Sequence, residues 1–279
     1  MPRTPHRPRR ALGAALAAAA LALLAGCASA APADDATGGT AGGDDGLAGT
    51  LTVSAAASLQ PAFEELAAAF TEQHAAVDVE LAFDGSSVLA AQIIGGAPVD
   101  VFASADAANM TKVADEGLLA ADPVLFATSS LQIAVAPGNP LGIETLADLA
   151  APGAGGEAPI VVLCAAEVPC GAASHRLLER DGVALVPASE EQNVTAVLTK
   201  VTNGEADAGL VYRSDVLRAE GDVEGIGIDG SVEAAGSYLI APIAGSAAPD
   251  AAAAFAEFMR SDEAQARFED LGFGPASAD

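Results

Sequence analysis

Residues 51–70 read LTVSAAASLQPAFEELAAAF, and two periodicities meet inside that stretch. Leu51-Thr-Val-Ser is a short run suited to a buried strand. From Leu59 to Phe70 the large apolar residues Phe63, Leu66 and Phe70 recur at helical spacing. Pro61 falls in the first helical turn, where its missing N–H removes no intrahelical bond. Between strand and helix lies Ala55-Ala56-Ala57-Ser58, a turn of small side chains. A strand delivered through a tight turn into a helix is the repeating unit of an α/β fold.

Downstream the unit recurs. Strands are expected at Val77–Phe83, Asp100–Ser104, Leu131–Ala136, Ile160–Leu163, Ala208–Tyr212 and Tyr238–Pro242. Helices are expected at Ser87–Ile94, Ala107–Glu116, Ala172–Arg180, Val194–Thr202 and Asp250–Met259. This alternation predicts an α/β architecture with mainly parallel sheets. Such sheets bind ligands at the carboxyl ends of their strands, where the helices begin.

Upstream the chain changes character. Arg3, Arg7, Arg9 and Arg10 precede an apolar run from Ala11 to Ala25, which is too short for a permanent membrane span. Residues 1–26 therefore read as a signal peptide. Leu24-Ala25-Gly26-Cys27 resembles the bacterial lipoprotein box, which implies cleavage before Cys27 and lipidation of its thiol. A plain secretory signal is the alternative. Residues 27–48, rich in Ala, Gly and Asp, have no apolar periodicity and read as the lipidated Cys and a flexible tether. The expected location is extracytoplasmic, with the membrane reached through the lipid anchor only.

The 279 residues carry 12 Lys+Arg against 38 Asp+Glu, a formal net charge of −26. Removing the signal peptide takes away four Arg and no acid, so the mature chain is more acidic still. A nucleic-acid partner is excluded, because neutralising phosphates requires clustered cations. With 51% hydrophobic residues the chain can bury a substantial core.

Four strand-to-helix turns share a chemistry: Ala55–Leu59, Asp84-Gly85-Ser86-Ser87, Val168-Pro169-Cys170-Gly171 and Glu191-Gln192-Asn193-Val194. Each presents mostly small or uncharged residues where a helix's first N–H groups lack intrahelical partners, an arrangement suited to an anion. Taken singly, Ser58 or Ser86 could be no more than a helix cap.

Taken in order, the segments carry a resemblance. VSAAASL (53–59), FDGSSVLAAQI (83–93), DVFASAD (100–106), VPCG (168–171) and AGLVY (208–212) resemble the molybdate-binding proteins of bacterial ABC importers, over nearly all of residues 50–275. The resemblance implies a two-lobe periplasmic-binding-protein-like fold of type II, with the ligand cleft between lobes joined by two crossing segments. The expected lobes are 49–129 plus 241–279, and 130–240, with crossings near Ser129–Leu131 and Leu239–Ala241. It further implies that Ser58 and Ser86 bind the oxyanion through hydroxyl and N–H, Cys170 and Val194 through N–H, and Tyr212 through its phenolic proton. Molybdate, and also tungstate, would be held through its oxygens with no direct metal ligand and no cofactor. The implied partner is an ABC importer permease, and a monomer is expected.

A tetrahedral dianion offers only acceptors, so a site of converging donors suits it without Lys or Arg. Asp84, close to Ser86, is an acid in an unexpected place. Sulfate or phosphate is the alternative ligand; phosphate can carry a proton that a donor-only site cannot accept. Cys164 and Cys170, six positions apart in an exported chain, suggest a local disulfide, with free thiols or metal ligation as competing readings. Metal is disfavoured because His74 and His175 fall into no ligand spacing. A secreted hydrolase would need a Gly-x-Ser-x-Gly elbow, and Ser58, Ser86 and Ser87 all lack that frame. No catalytic residue is expected. Tyr238 is expected to face the core from its strand, with a hinge role as the alternative.

Overall fold

The computed structural model describes residues 46–153, 156–219 and 221–276. The expected signal peptide, the expected tether up to residue 45 and Cys27, expected to be lipidated, lie outside the described residues.

Strand β1 (Gly49–Ala56) leads through a single 3-10 turn at Ala57–Leu59 into α1 (Gln60–Gln73), the unit that opens the fold. The same step repeats in β2 (Val77–Asp84) to α2 (Ser86–Ile94) and in β3 (Val101–Ser104) to α3 (Ala107–Asp115). Strand β4 (Val124–Thr128) closes this half. The chain then passes at Ser129-Ser130 to β5 (Leu131–Val135), which belongs to a second sheet. There β6 (Val161–Cys164) feeds α4 (Pro169–Arg180), β7 (Ser189–Glu191) feeds α5 (Val194–Thr202), and β8 (Ala208–Tyr212) feeds α6 (Arg213–Arg218). After β9 (Glu224–Gly227) and α7 (Ser231–Ala235), β10 (Ser237–Pro242) returns to the first sheet, and α8 (Pro249–Phe258) and α9 (Asp262–Asp270) finish the chain.

The two sheets have the strand orders β2-β1-β3-β10-β4 and β7-β6-β8-β5-β9. Both are mixed rather than mainly parallel. β10 runs antiparallel to β3 and β4, and β5 runs antiparallel to β8 and β9. The cause is the crossing itself: a strand arriving from the other lobe enters its sheet from the opposite end.

The return crossing also lies upstream of the expected Leu239–Ala241. Leu239–Pro242 pair with Ser104–Val101 of β3, and Ser237 already faces Thr128 of β4. Ala234 and Ala235 still pack in the core of the second lobe, so the change of lobe falls at Gly236, whose φ of 80° suits glycine.

Each sheet has its own core. Phe63, Phe70, Phe126, Phe255 and Phe268 pack edge-on or tilted behind the first sheet, with Phe70 and Phe255 centroids 5.2 Å apart. Aliphatic side chains of β5, β6, β8, α4 and α5 fill the second. Helix α4 begins at Pro169, three residues before the expected Ala172. Proline is tolerated at a first helical position, and the Val168–Gly171 turn therefore forms the helix's own N-terminus.

Candidate functional site

The carboxyl ends of β1, β2, β3, β6 and β8, with the start of α5, converge on one small cavity. Its walls include Ala56, Ala57, Ser58, Asp84, Gly85, Ser86 and Ala105 from the first lobe, and Val168, Pro169, Cys170, Val194 and Tyr212 from the second. All five residues expected to hold a ligand, Ser58, Ser86, Cys170, Val194 and Tyr212, are thereby brought together. The cavity is small, and both lobes contribute to its walls.

Among the described residues no Lys, Arg or His lines the cavity. Arg213 is exposed, and Arg176 donates to the Ala234 carbonyl, tying α4 to α7. What the walls offer is helix starts. Ser86 and Pro169-Cys170 open α2 and α4, Val194 opens α5, and Ser58 lies in the 3-10 turn before α1. Residues in a helix's first turn have no carbonyl four positions back within the helix to accept their N–H. Helix dipoles add positive potential at the same ends.

The two serines are held by partners. The Ser58 hydroxyl shares a hydrogen bond of 2.9 Å with the Tyr238 hydroxyl. Ser86 Oγ accepts from the Ala105 N–H at 3.0 Å, which leaves its own proton to be donated elsewhere. Tyr238, fully buried in β10, thus orients a wall residue as well as packing in the core. That role spans 180 positions and left no local trace in the sequence.

Tyr212 is only 1% exposed, and among the described residues its hydroxyl has no hydrogen-bond partner. Burial, foremost, pushes its pKa well above the usual tyrosine value, so the group is a neutral donor. Its ring meets that of Tyr238 edge-on at 5.9 Å. Beneath it, Asp215 accepts the Tyr212 N–H at 3.1 Å and pairs with Arg218 at 2.9 Å. Desolvation raises Asp215 to about 6 despite that partner.

Cys164 and Cys170 are joined by a disulfide that links the end of β6 to the first turn of α4. Gly171 is needed in the same turn, because a Cβ there would stand 1.9 Å from the Ala165 carbonyl oxygen. Among the described residues Asp84 is the one acid in the cavity wall. Its Oδ1 accepts from the Gly85 N–H at 2.7 Å and from Asn193 Nδ2, across the cleft, at 3.0 Å. Among the described residues no group of His, Cys, Asp and Glu could hold a metal ion.

The cavity thus lies between the two lobes, walled by helix starts, two serine hydroxyls, the Tyr212 phenol and the Asp84 carboxylate. The family model for bacterial extracellular solute-binding proteins matches residues 51–274. The chain belongs to that family. The molybdate-binding protein ModA of Mycobacterium tuberculosis is 42% identical to this solute-binding protein over 226 residues, covering 81% of this chain and 85% of the relative. The periplasmic molybdate-binding protein of Azotobacter vinelandii superposes with a TM-score of 0.65 at 21% identity, over 80% of this chain and 98% of that one. The sulfate-binding protein SubI of Mycobacterium tuberculosis reaches the same TM-score at 18% identity, over 81% of this chain and 86% of that one. The last two likenesses establish the two-lobe fold and leave the ligand to the wall residues.

Proposed function

We propose that this solute-binding protein captures molybdate, and with it tungstate, and delivers it to an ABC importer, acting as a receptor and not as an enzyme. The observation that carries the reading is the buried, unpartnered Tyr212 hydroxyl in a small cavity walled by helix starts. A buried donor without an acceptor costs about 1–3 kcal/mol. A ligand that supplies oxygen acceptors recovers that cost.

In the proposed complex Ser58 and Ser86 donate through hydroxyl and N–H, Cys170 and Val194 through N–H, and Tyr212 through its phenol. Hydrogen bonds to a charged group contribute about 1.5–3 kcal/mol each. Several of them offset the roughly 4–15 kcal/mol lost on association. The 42% identity to a molybdate-binding protein supports molybdate over other tetrahedral oxyanions. The Leu24–Cys27 box supports anchoring through a lipidated Cys27, on the outer side of the cell membrane, with a monomer presented to the permease.

Calorimetry with molybdate, tungstate, sulfate and phosphate in turn tests the reading. Molybdate and tungstate are expected to bind at micromolar or tighter dissociation constants, and sulfate and phosphate far more weakly. Sulfate binding as tight as molybdate's would overturn the assignment.

A further inference from the structure

The turn before α2 and the turn before α5 come from different lobes and touch each other in two ways. Asn193 donates from Nδ2 to Asp84 Oδ1 at 3.0 Å, and the same oxygen accepts the Gly85 N–H. Asn193 Oδ1 meanwhile accepts from the Ala196 N–H at 2.9 Å and so caps α5. Alongside, the Gln192 carbonyl approaches so closely that a Cβ on Gly85 would stand 2.1 Å from its oxygen. One continuous chain of hydrogen bonds therefore runs from the residue preceding Ser86 to the first turn of the helix that Val194 opens.

A carboxylate in the wall of a site for a dianion calls for a reason. Its partners supply one: Oδ1 is occupied by two N–H donors, one of which can reach it only when the lobes are together. We infer that Asp84 and Asn193 form a positioning pair, whose hydrogen bond across the cleft favours the closed arrangement of the lobes and holds Ser86 and Val194 at their binding separation. The pair thereby sets how much of the ligand-free protein is closed. Because apparent affinity scales with the fraction of molecules in the competent state, it also tunes the dissociation constant. This last step rests on the molybdate reading, whereas the closure step does not.

Asn193→Asp isolates the contact. Aspartate caps a helix as well as asparagine does, so α5 keeps its start, while the donor facing Asp84 becomes a second carboxylate. Like charges set face to face across an interface cost several kcal/mol. Small-angle scattering of the ligand-free protein at pH 7.5 should give a larger radius of gyration for the variant than for the wild type. Its dissociation constant for molybdate should rise by about tenfold or more. Two carboxylates sharing a site raise one pKa, so lowering the pH towards 5 should let one proton bridge them. The ratio of variant to wild-type dissociation constants should then narrow. Among the described residues Asp84 and Tyr212 are the only titratable side chains in the cavity wall, since Cys170 is in a disulfide, and Tyr212 stays neutral throughout that range.

The double exchange Asp84→Asn with Asn193→Asp restores a donor facing an acceptor and should bind better than Asn193→Asp alone. Gly85→Ala changes no polar group and should also enlarge the ligand-free protein, by steric blockage of the Gln192 carbonyl. Unchanged scattering for Asn193→Asp would overturn the positioning pair; should that variant fail to fold, unchanged scattering for Gly85→Ala decides against it. If the wild type fails to bind molybdate, the ligand assignment falls while scattering still decides the closure contact.

Discussion

Replacing Tyr212 with Phe should move stability and binding in opposite directions. The ring is fully packed against Tyr238 at a centroid distance of 5.9 Å, and Phe preserves that contact. The hydroxyl is buried without a partner, so the folded ligand-free protein carries its desolvation cost, about 1–3 kcal/mol. Deleting it relieves that cost, partly offset by the small void left behind, for a net gain of about 1 kcal/mol. In a folded body of roughly 230 residues this corresponds to a rise in Tm of about 2–4 °C. The complex loses one hydrogen bond to a charged ligand, about 1.5–3 kcal/mol, which weakens binding by about 10- to 150-fold. Thermal melts without ligand and calorimetry with molybdate measure the two effects. At molybdate concentrations between the two dissociation constants the order of the melting temperatures should reverse, because only the wild type is then stabilised by mass action. A variant with wild-type affinity, or one whose ligand-free Tm falls by several degrees, would refute the assignment of that hydroxyl to the ligand.

Three further outcomes follow from the same architecture. The raised pKa of Asp215 means that the folded state holds its proton more tightly than the unfolded one. Its contribution to stability is intact below about pH 4 and is lost as the pH rises through about 6, a loss of about 3 kcal/mol. Urea titrations should show this slope in the wild type and its absence in Asp215→Asn; equal slopes would discount the buried carboxylate. Reducing the Cys164–Cys170 disulfide should cost about 2 kcal/mol by the loop-entropy relation and weaken molybdate binding as the α4 start loosens. Thiol titration of the native protein should find neither cysteine reactive. Gly171→Ala should lower the Tm sharply, since its Cβ would overlap the Ala165 carbonyl; a wild-type melt would show that the turn can relax.

The fold's units were legible because β1 and β3 announce themselves by apolar runs ending in small residues, β2 by its alternation, β8 by the uncharged run Ala-Gly-Leu-Val-Tyr, and α1 by Phe63, Leu66 and Phe70. That these turns would wall one cavity was legible because a helix start is a local object, and each turn carries its own signature. Contacts between turns are not local. Tyr238 meets Ser58 across 180 positions, and Asn193 meets Asp84 across 109, so neither pairing has a spacing to read. Strands β7 and β9, the two edges of the second sheet, were missed on other grounds. β7 is three residues long, and β9 is Glu-Gly-Ile-Gly, whose composition disfavours a strand and whose place is fixed by its ladder with β5. The antiparallel β10 follows from where the chain re-enters, a property of topology that no window of sequence contains.

That re-entry has a consequence for how the molecule is made. Every strand of the second sheet lies between Leu131 and Gly227, so a chain emerging from its N-terminus has that sheet complete once Gly227 is out. The first sheet, begun more than 180 residues earlier, must still wait for β10 to slot between β3 and β4. Until then β3 and β4 present facing unpaired edges, the kind of surface that recruits wrong strands. The half that is synthesised first is therefore the half that matures last, and its unfilled gap is the stage of biogenesis most exposed to aggregation.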